Sequence, residues 1–237
     1  MSRAEIDKQL DILFPNPKKH RTQRRIILEA SALVAYQNRD DAIKILVCDD
    51  APQFKTITDY LSLCWVHEGR HFKKLKPLIQ SNQEKVDAVI TDLWAFYRKL
   101  LAYKQAPAET QAKILSEEFD TLFTQTTDYD LLDERLRKIA AKKDNLLLVL
   151  TYPEIPLHNN PAELGARVQT RKGDVSLQTQ NDKGTKAKDT MMTLVQTARK
   201  LSVNTLDYIR DRISLSYQMP SLSSLIKLRS QEKFNSS

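Results

Sequence analysis

An amphipathic run over residues 83–104 dictates a long helix in the middle of the chain. Its apolar residues recur every three to four positions and therefore share one face of a helix. They are Val86, Val89, Ile90, Leu93, Trp94, Tyr97, Leu100 and Leu101. Pro107 ends the run, and the amphipathic segments 108–124 and 130–141 follow it. Residues 76–144 are therefore predicted to form an all-helical block.

Short β-rich runs lie on both sides of this block. Residues 42–48, AIKILVC, predict a buried strand that ends in two aspartates, and residues 60–66, YLSLCWV, predict a second strand. The run 145–152, NLLLVLTY, fits either a strand or the end of a buried helix, and periodicity does not separate the two.

The remaining segments predict further helices around these runs. They cover 3–14, 20–37, 161–168, 186–201, 205–214 and 221–233, with a polar loop or ribbon at 171–186. The expected fold class is α/β and predominantly helical. A helical segment, 1–41, precedes a core formed by 42–75 and by 145–237, which also includes the C-terminal helices. The helical block 76–144 is an insertion into that core.

Composition narrows the classes of function. Only 4 glycines occur in 237 residues, which argues against Gly-rich phosphate loops and all-β folds. The formal net charge of +7 suits a polyanionic partner such as nucleic acid. Two cysteines, Cys48 and Cys64, argue against a disulfide framework. No apolar run reaches the roughly 20 residues of a membrane span, and the amphipathic start is not a signal peptide. We therefore expect a soluble cytoplasmic protein.

The carboxylates are the remaining candidates for metal-dependent catalysis. Asp49 or Asp50, at the end of the predicted strand, would hold its carboxylate rigidly. Mg²⁺ typically takes one or two carboxylates together with water and phosphate oxygens. Two such ions can activate a water or a 3′-hydroxyl for displacement at phosphorus. Glu163, far along the chain in EIPLHNNPAELGAR, would be a second ligand.

Each of these acids also has a purely structural interpretation. The sequence DDAP after the first strand can open a turn. Asn160-Pro161-Ala162-Glu163 follows the rules for the start of a helix, with Asn as the cap, Pro next and an acid in the first turn. The residues alone leave both interpretations open.

Other catalytic motifs are missing. The chain has no Walker loop, HExxH, GxSxG or Rossmann fingerprint. Cys64-x-x-His67 has half the spacing of a zinc site, but no second pair exists, and Cys48 and His71 are the remaining candidates. We therefore interpret Cys64 as a core residue and His67 as its polar neighbour.

Three blocks of sequence resemble one known family. LVCDDAPQF followed by LSLCWVHEGRHFKKL is similar to insertion-sequence transposases of the family numbered 66, in which a strand ending in Asp precedes an L-C-W-x-H-x-x-R-x-F block. IPLHNNPAELGAR resembles the I-P-[ILV]-x-N-N-x-A-E-x-x-x-R block that carries the last acid of that family's DDE triad. The blocks occur in the family's order, and TLVQTARKLSVNTLDYIRDRI resembles its closing helices.

The resemblance implies a ribonuclease-H-like core with a helical insertion before the last acid. It also implies DNA strand cleavage and strand transfer with two Mg²⁺ or Mn²⁺ ions. Asp49 would be the second acid and Glu163 the third, both catalytic and metal-binding. Asp49 is preferred to Asp50 because it directly follows the strand.

Further residues are assigned around these two acids. Supporting roles are predicted for Asp50, His67, Asn159 and Asn160, while Trp65 is predicted to be a core residue. Contacts to DNA are predicted for Arg70, Lys73, Lys74, Arg167, Arg171 and Lys172. The basic cluster at 135–143 fits either DNA contact or a solvated helix face.

One departure from the family's pattern shapes the expected function. The family's first Asp lies on an earlier strand, within three antiparallel strands, and residues 1–41 predict no such strands. We therefore expect an N-terminally truncated catalytic portion of a transposase that binds metal weakly, is inactive alone and leaves a sheet edge uncovered. Its expected partners are transposon-end DNA, target DNA and further copies of itself, at the bacterial nucleoid. The alternatives are a non-catalytic DNA-binding or regulatory fragment and a plain helical interaction protein.

Overall fold

Helical periodicity in the sequence translates directly into the architecture. The computed structural model describes residues 2–40, 42–175, 179 and 181–235, which form two compact units, 1–159 and 160–237. The first unit contains α1 (Arg3–Leu13), α2 (Arg21–Gln37), β1 (Ile45–Cys48), β2 (Tyr60–Leu63), α3 (Trp65–Phe72), α4 (Gln80–Tyr103), α5 (Glu109–Phe123), α6 (Asp130–Ala140) and α7 (Lys143–Leu146). The second contains α8 (Asn160–Val175), α9 (Asp182–Lys200), α10 (Thr205–Ile213) and α11 (Leu222–Asn235).

The core of the first unit forms where the predicted helical block packs on α3. Helices α4, α5 and α6 pack in sequence, and α3 contacts both α4 and α6. Four aromatic side chains meet in this core: Trp65, Phe96, Phe119 and Phe123. The stripe predicted on α4 is confirmed at Leu93 and Leu100, which are fully buried. Phe96 was not in that stripe and is buried, whereas Leu101 is 41% exposed.

The sheet of the described residues has two strands, β1 and β2, which run parallel with Ile45 opposite Tyr60 and Cys48 opposite Leu63. The second strand is shorter than predicted. It ends at Leu63 because Cys64 is the extended N-cap of α3 and Trp65 already belongs to that helix. The Trp65 backbone N–H donates to the Leu157 carbonyl, 3.0 Å away, instead of continuing the ladder.

Residues 145–152, which fitted either a strand or a helix end, are helical. The segment lies in α7 and in a 3₁₀ turn at Leu148–Leu150. Asn145 Nδ2 donates to the Leu61 carbonyl at 2.8 Å, so a side chain covers part of the free edge of β2. An unpaired strand edge is a site of non-specific pairing, and this contact limits it.

The second unit contains four helices with a small apolar interior. The predicted polar stretch 171–186 is partly helical, since α8 continues to Val175 and α9 begins at Asp182, where Asn181 caps the Gly184 N–H. Asn204 caps α10 in the same way. Across the described ranges of the chain, no helix is long and apolar enough to span a bilayer.

Candidate active site

The two aspartates after β1 open onto a cavity. Asp49 and Asp50 directly follow Cys48, the last residue of that strand, at the carboxyl end where parallel sheets commonly bind ligands. The cavity has a volume of about 610 Å³. It is lined by Asp49, Asp50, Ala51, His67, His71, Arg135, Lys138, Ala141 and Lys142. The helical insertion, through α6 and Lys142, therefore forms one wall of the cavity at the strand end.

The two aspartates have different partners. Lys142 Nζ lies 2.8 Å from Asp50 Oδ2, and the more exposed Lys55 Nζ lies 3.9 Å from Asp50 Oδ1. Asp49 forms no ion pair with any residue in the described part of the chain, and its side chain is half-buried. Asp49 is thus the carboxylate whose charge is not offset by a cation of the protein.

Behind the strand end lies a buried glutamate that the sequence analysis missed. Glu68 is 2% exposed and forms ion pairs with Arg135 and with Lys142, whose Nζ is 2.9 Å from Glu68 Oε1. A buried carboxylate requires such partners because losing water is costly. Burial lowers the pKa of the Arg135 guanidinium, which also lies 5.9 Å from the centre of the Phe72 ring.

A sequence signal for Glu68 did exist. The buried face of α3 consists of Trp65, Glu68, Gly69 and Phe72, which recur at helical spacing. A charged residue on that apolar face predicts a buried ion pair. The signal was hidden because Glu68 stands within a strongly basic segment.

Two histidines line the same cavity from α3. His67 and His71 are one helical turn apart, and their ring centroids are 5.3 Å apart. His67 Nδ1 is buried and has no hydrogen-bond partner among the described residues. Burial, followed by the nearby Lys74, lowers the pKa of His71. His67, predicted to support the site, therefore lines the same cavity as Asp49.

The pair Cys64 and His67, which has half the spacing of a zinc site, is not joined by further metal ligands in the described part of the chain. Cys64 and Cys48 are both buried free thiols, and burial raises the pKa of Cys48 to about 11. Among the described residues, no group of three or more His, Cys, Asp or Glu side chains is arranged to hold a metal ion.

Glu163 lies in the other unit. It stands in the first turn of α8, which begins at Asn160 within one residue of the predicted start, and its side chain is half-buried. Asn159, the last residue of the first unit, has a buried side-chain Oδ1 to which no residue in the described ranges donates a hydrogen bond. The segment before it is held by Lys104, whose Nζ donates to the carbonyls of Pro153 and Ile155.

The sequence profile described as Transposase IS66 family matches residues 29–187, a range that includes β1, the insertion and the start of α8. The chain belongs to the IS66 transposase family. An uncharacterised protein, y4jO, of Sinorhizobium fredii is 36% identical over 174 residues, which cover 73% of this chain and 54% of that protein. The chain thus spans about half the length of this IS66-type relative. No solved structure matches this chain.

Within this IS66 family member, the predicted DNA-contacting residues lie on exposed surfaces of both units. Arg70, Lys73 and Lys74 are exposed at the end of α3, and Arg167 and Arg171 are exposed on α8. The side chain of Lys172 lies outside the described part of the structure. DNA contact by these residues stays a prediction.

The basic residues at 135–143 are divided between inward-facing ion pairs and exposed positions. Arg135 and Lys142 point inward, with 12% and 20% of their side chains exposed, and both form ion pairs with Glu68. Lys143 forms an ion pair with Asp120 at 2.6 Å. Lys138 is 58% exposed and forms an ion pair with Glu134 on its own helix.

Proposed function

We propose that this chain carries the catalytic portion of a DDE transposase that cuts and joins DNA. Asp49 and Glu163 would be two acids of the site, in a ribonuclease-H-like core. The observation that carries the proposal is Asp49, which follows a strand end, opens on a cavity and forms no ion pair with another described residue, in a member of a transposase family.

The residues around Asp49 suit a divalent cation in part. Asp49 offers hard oxygen ligands, and the neighbouring Asp50 is already neutralised by Lys142. Bound Mg²⁺ or Mn²⁺ would activate the attacking oxygen and stabilise the leaving oxygen at phosphorus. Asp49 alone does not complete a ligand set within the first unit, so the proposal requires Glu163 and a further acid.

The further acid is expected outside the described elements of this chain. Residues 3–37 are occupied by α1 and α2, and no strand with an aspartate precedes β1 in the described range 2–40. We therefore propose that this chain alone binds metal weakly and cleaves DNA slowly, and that an upstream segment of a longer family member completes the site.

The test is a nicking assay on DNA carrying element ends, with Mg²⁺. The chain alone is compared with a fusion to an upstream segment that carries an Asp-bearing strand, and we expect the fusion to nick at least about 100-fold faster because the acids act as one unit. Asp49→Asn and Glu163→Gln should each abolish that nicking. Asp59→Asn is the matched control, since Asp59 is 65% exposed and binds only Lys44 at 3.5 Å. Undiminished nicking by Glu163→Gln in an active fusion would refute the assignment.

A second candidate function is a DNA-binding fragment without catalysis, which would modulate a complete transposase. The formal net charge of +7 and the exposed Arg70, Lys73 and Lys74 favour it. Under either function we propose transposon-end and target DNA as partners, further copies of the chain on that DNA, and location at the bacterial nucleoid.

A salt titration of DNA binding separates these possibilities. Neutralising Lys73 and Lys74 should flatten the slope of log affinity against log salt by about 0.9 for each phosphate that the variant no longer neutralises. Lys113→Gln, which changes an exposed residue of α5, is the matched control and should leave the slope unchanged. Binding that is insensitive to Asp49→Asn, without nicking in the fusion, supports the non-catalytic fragment. Absence of DNA binding at low salt would exclude both.

A further inference from the structure

The positive charge of this protein is concentrated in its second unit. Residues 160–237 contain 13 lysines and arginines against 7 aspartates and glutamates, a net charge of +6. Residues 1–159 contain 24 lysines and arginines against 23 aspartates and glutamates, a net charge of +1. The smaller unit therefore supplies almost all of the chain's net charge, and it is the unit that attracts a polyanion.

The segment that follows α10, residues 214–219, presents an exposed aromatic ring on this unit. Tyr217 is 60% exposed. The Arg212 guanidinium lies 5.3 Å from the centre of the Tyr217 ring and 4.6 Å from the centre of the buried Tyr208 ring. The Tyr208 hydroxyl in turn accepts a hydrogen bond from the Leu222 N–H at 3.4 Å. One arginine thus connects the exposed ring to the interior of the unit.

Hydrogen bonds to the last turn of α10 fix the segment around Tyr217. Asp211, which is buried, accepts through Oδ1 from the backbone N–H of Gln218 at 2.8 Å and of Met219 at 3.4 Å. Arg212 donates to the Met219 carbonyl at 2.6 Å. An aromatic ring on a segment held in this way loses little conformational freedom when a ligand binds, which favours binding.

The backbone of the same segment is strained at two bulky residues. Leu215 has a φ of 56° and Tyr217 a φ of 46°, in the left-handed region that such residues rarely adopt. Leu215 is 69% exposed, so burial of its side chain does not account for this conformation. Strain of this kind persists where the surrounding contacts impose it, and it is concentrated at ligand-binding sites.

We propose that Tyr217 stacks on an unpaired base of single-stranded DNA bound to the second unit. This role rests on the proposed DNA partner, but it requires neither a metal ion nor the acids near β1. Proteins that bind single strands combine a positively charged surface with exposed aromatic rings on which bases stack. Arg210, with 71% of its side chain exposed one turn before the segment, supplies a cation for the phosphates.

The ring selects unpaired DNA, because the faces of paired bases are covered by their neighbours in a duplex. The other exposed apolar side chains here, Ile213 and Leu215, would also suit a protein partner. The concentration of positive charge in this unit favours DNA over such a partner.

The test measures binding of the full chain to two labelled probes by fluorescence anisotropy, with EDTA and without added metal. The probes are an oligothymidylate of about 20 nucleotides, which is longer than a typical single-strand site, and a duplex of equal length. Tyr217→Leu removes the aromatic ring but keeps an apolar side chain, and Tyr217→Phe keeps the ring. Ile213→Ala is the matched control, since Ile213 is an apolar residue that is 77% exposed at the end of α10.

We expect Tyr217→Leu to weaken binding of oligothymidylate by about tenfold, with Tyr217→Phe and Ile213→Ala within about twofold of the wild type. Binding of the duplex by Tyr217→Leu should stay within about twofold of the wild type, which also shows that the variant is folded. Its slope of log affinity against log salt should not change, because no charge is removed. In a Tyr217→Trp variant, oligothymidylate should quench the fluorescence of the new indole in the salt range where it binds.

Three results would overturn the stacking role of Tyr217. The first is equal affinity of the wild type and Tyr217→Leu for oligothymidylate. The second is an equal loss for oligothymidylate and duplex. The third is self-association in light scattering that both Tyr217→Leu and Ile213→Ala abolish, which would make the segment a protein contact. Failure of the nicking assay leaves these comparisons intact, since they need no metal, and loss of stacking leaves the assignment of Asp49 and Glu163 intact.

Discussion

Asp49 and Asp50 follow the same strand, yet Lys142, from a distant part of the chain, forms an ion pair with Asp50 and not with Asp49. Lys142 neutralises Asp50 and leaves Asp49 as the carboxylate without an ion pair among the described residues. Position along the strand favoured Asp49 in the sequence, and the charge arrangement supports the same choice for an independent reason. At the residue scale, whether a carboxylate is available to bind a cation depends on the charged residues around it.

Gly69 is required by a close approach between α3 and Trp94 of α4. A Cβ added at Gly69 would lie 2.7 Å from Trp94 Cζ2, which forces the ring to move. We expect Gly69→Ala to lower the free energy of unfolding by about 1–3 kcal/mol in a urea titration, despite the better helix propensity of alanine. Gly173→Ala, which meets no atom within 4 Å, is the control and should stabilise by up to about 1 kcal/mol. Equal effects in the two variants would contradict the packing of Trp94 on α3.

His71 should make stability depend on pH. Burial lowers its pKa below the ordinary value of about 6.5, so the unfolded chain binds a proton more readily than the folded chain. The contribution of His71 to the free energy of unfolding is therefore fully present above pH 6.5. It is lost as the pH falls from 6.5 through the lower pKa of His71 in the folded state. Urea titrations between pH 5 and 8 should show this loss for the wild type and a smaller one for His71→Gln. An identical pH profile for both proteins would argue against burial of His71.

At the scale of elements, α3 connects the core to the cavity. Its inner face carries Trp65 and Phe72 into the aromatic core, while His67 and His71 line the cavity on another side. Trp65 is fully buried and its Nε1 donates to the Leu146 carbonyl of α7 at 3.0 Å. The cavity wall is therefore held in place by packing on α4, α5 and α7, which confirms the prediction that Trp65 is a core residue.

Substitution of Trp65 measures how strongly α3 is docked. Trp65→Ala should lower the free energy of unfolding by about 3–5 kcal/mol, because it leaves a large cavity among aromatic rings. Trp65→Phe should cost about 1–3 kcal/mol, since it keeps the ring but leaves the Leu146 carbonyl without its donor. Urea titration monitored by circular dichroism provides the measurement. A loss below about 1 kcal/mol for Trp65→Ala would show that α3 does not depend on this contact.

At the scale of the whole molecule, the apolar core is unevenly distributed. The contiguous core cluster runs from Cys48 to Leu157, entirely inside the first unit. The buried apolar residues described in the second unit are Ala198, Leu201 and Tyr208. Because burial of apolar surface supplies most of the stability of a fold, the two units should differ in their capacity to fold alone.

Separate expression of the units tests this difference. A fragment of residues 1–159 should unfold cooperatively, with Trp65 fluorescence protected from solvent until the transition. A fragment of residues 160–237 should show helical signal but only a broad transition, as expected when few side chains are buried. Circular dichroism and fluorescence melts are sufficient for both. Cooperative unfolding of 160–237 with a broad transition for 1–159 would contradict the observed distribution of the core.

The sequence alone determined most of the helices, the end of the first strand at Cys48 and the family, because periodicity, caps and short motifs are local properties, but it did not predict α3. It ranked Asp49 before Asp50 and located the start of α8 within one residue of Asn160 for the same reason. Only the tertiary structure decided that the second strand ends at Leu63, that 145–152 is helical and that Arg135 and Lys142 turn inward to Glu68. These outcomes depend on contacts between residues 67 to 92 positions apart, from the ion pair of Glu68 with Arg135 to the hydrogen bond from the Trp65 N–H to the Leu157 carbonyl. Contacts across such separations form only in the folded chain, and local sequence patterns do not encode them.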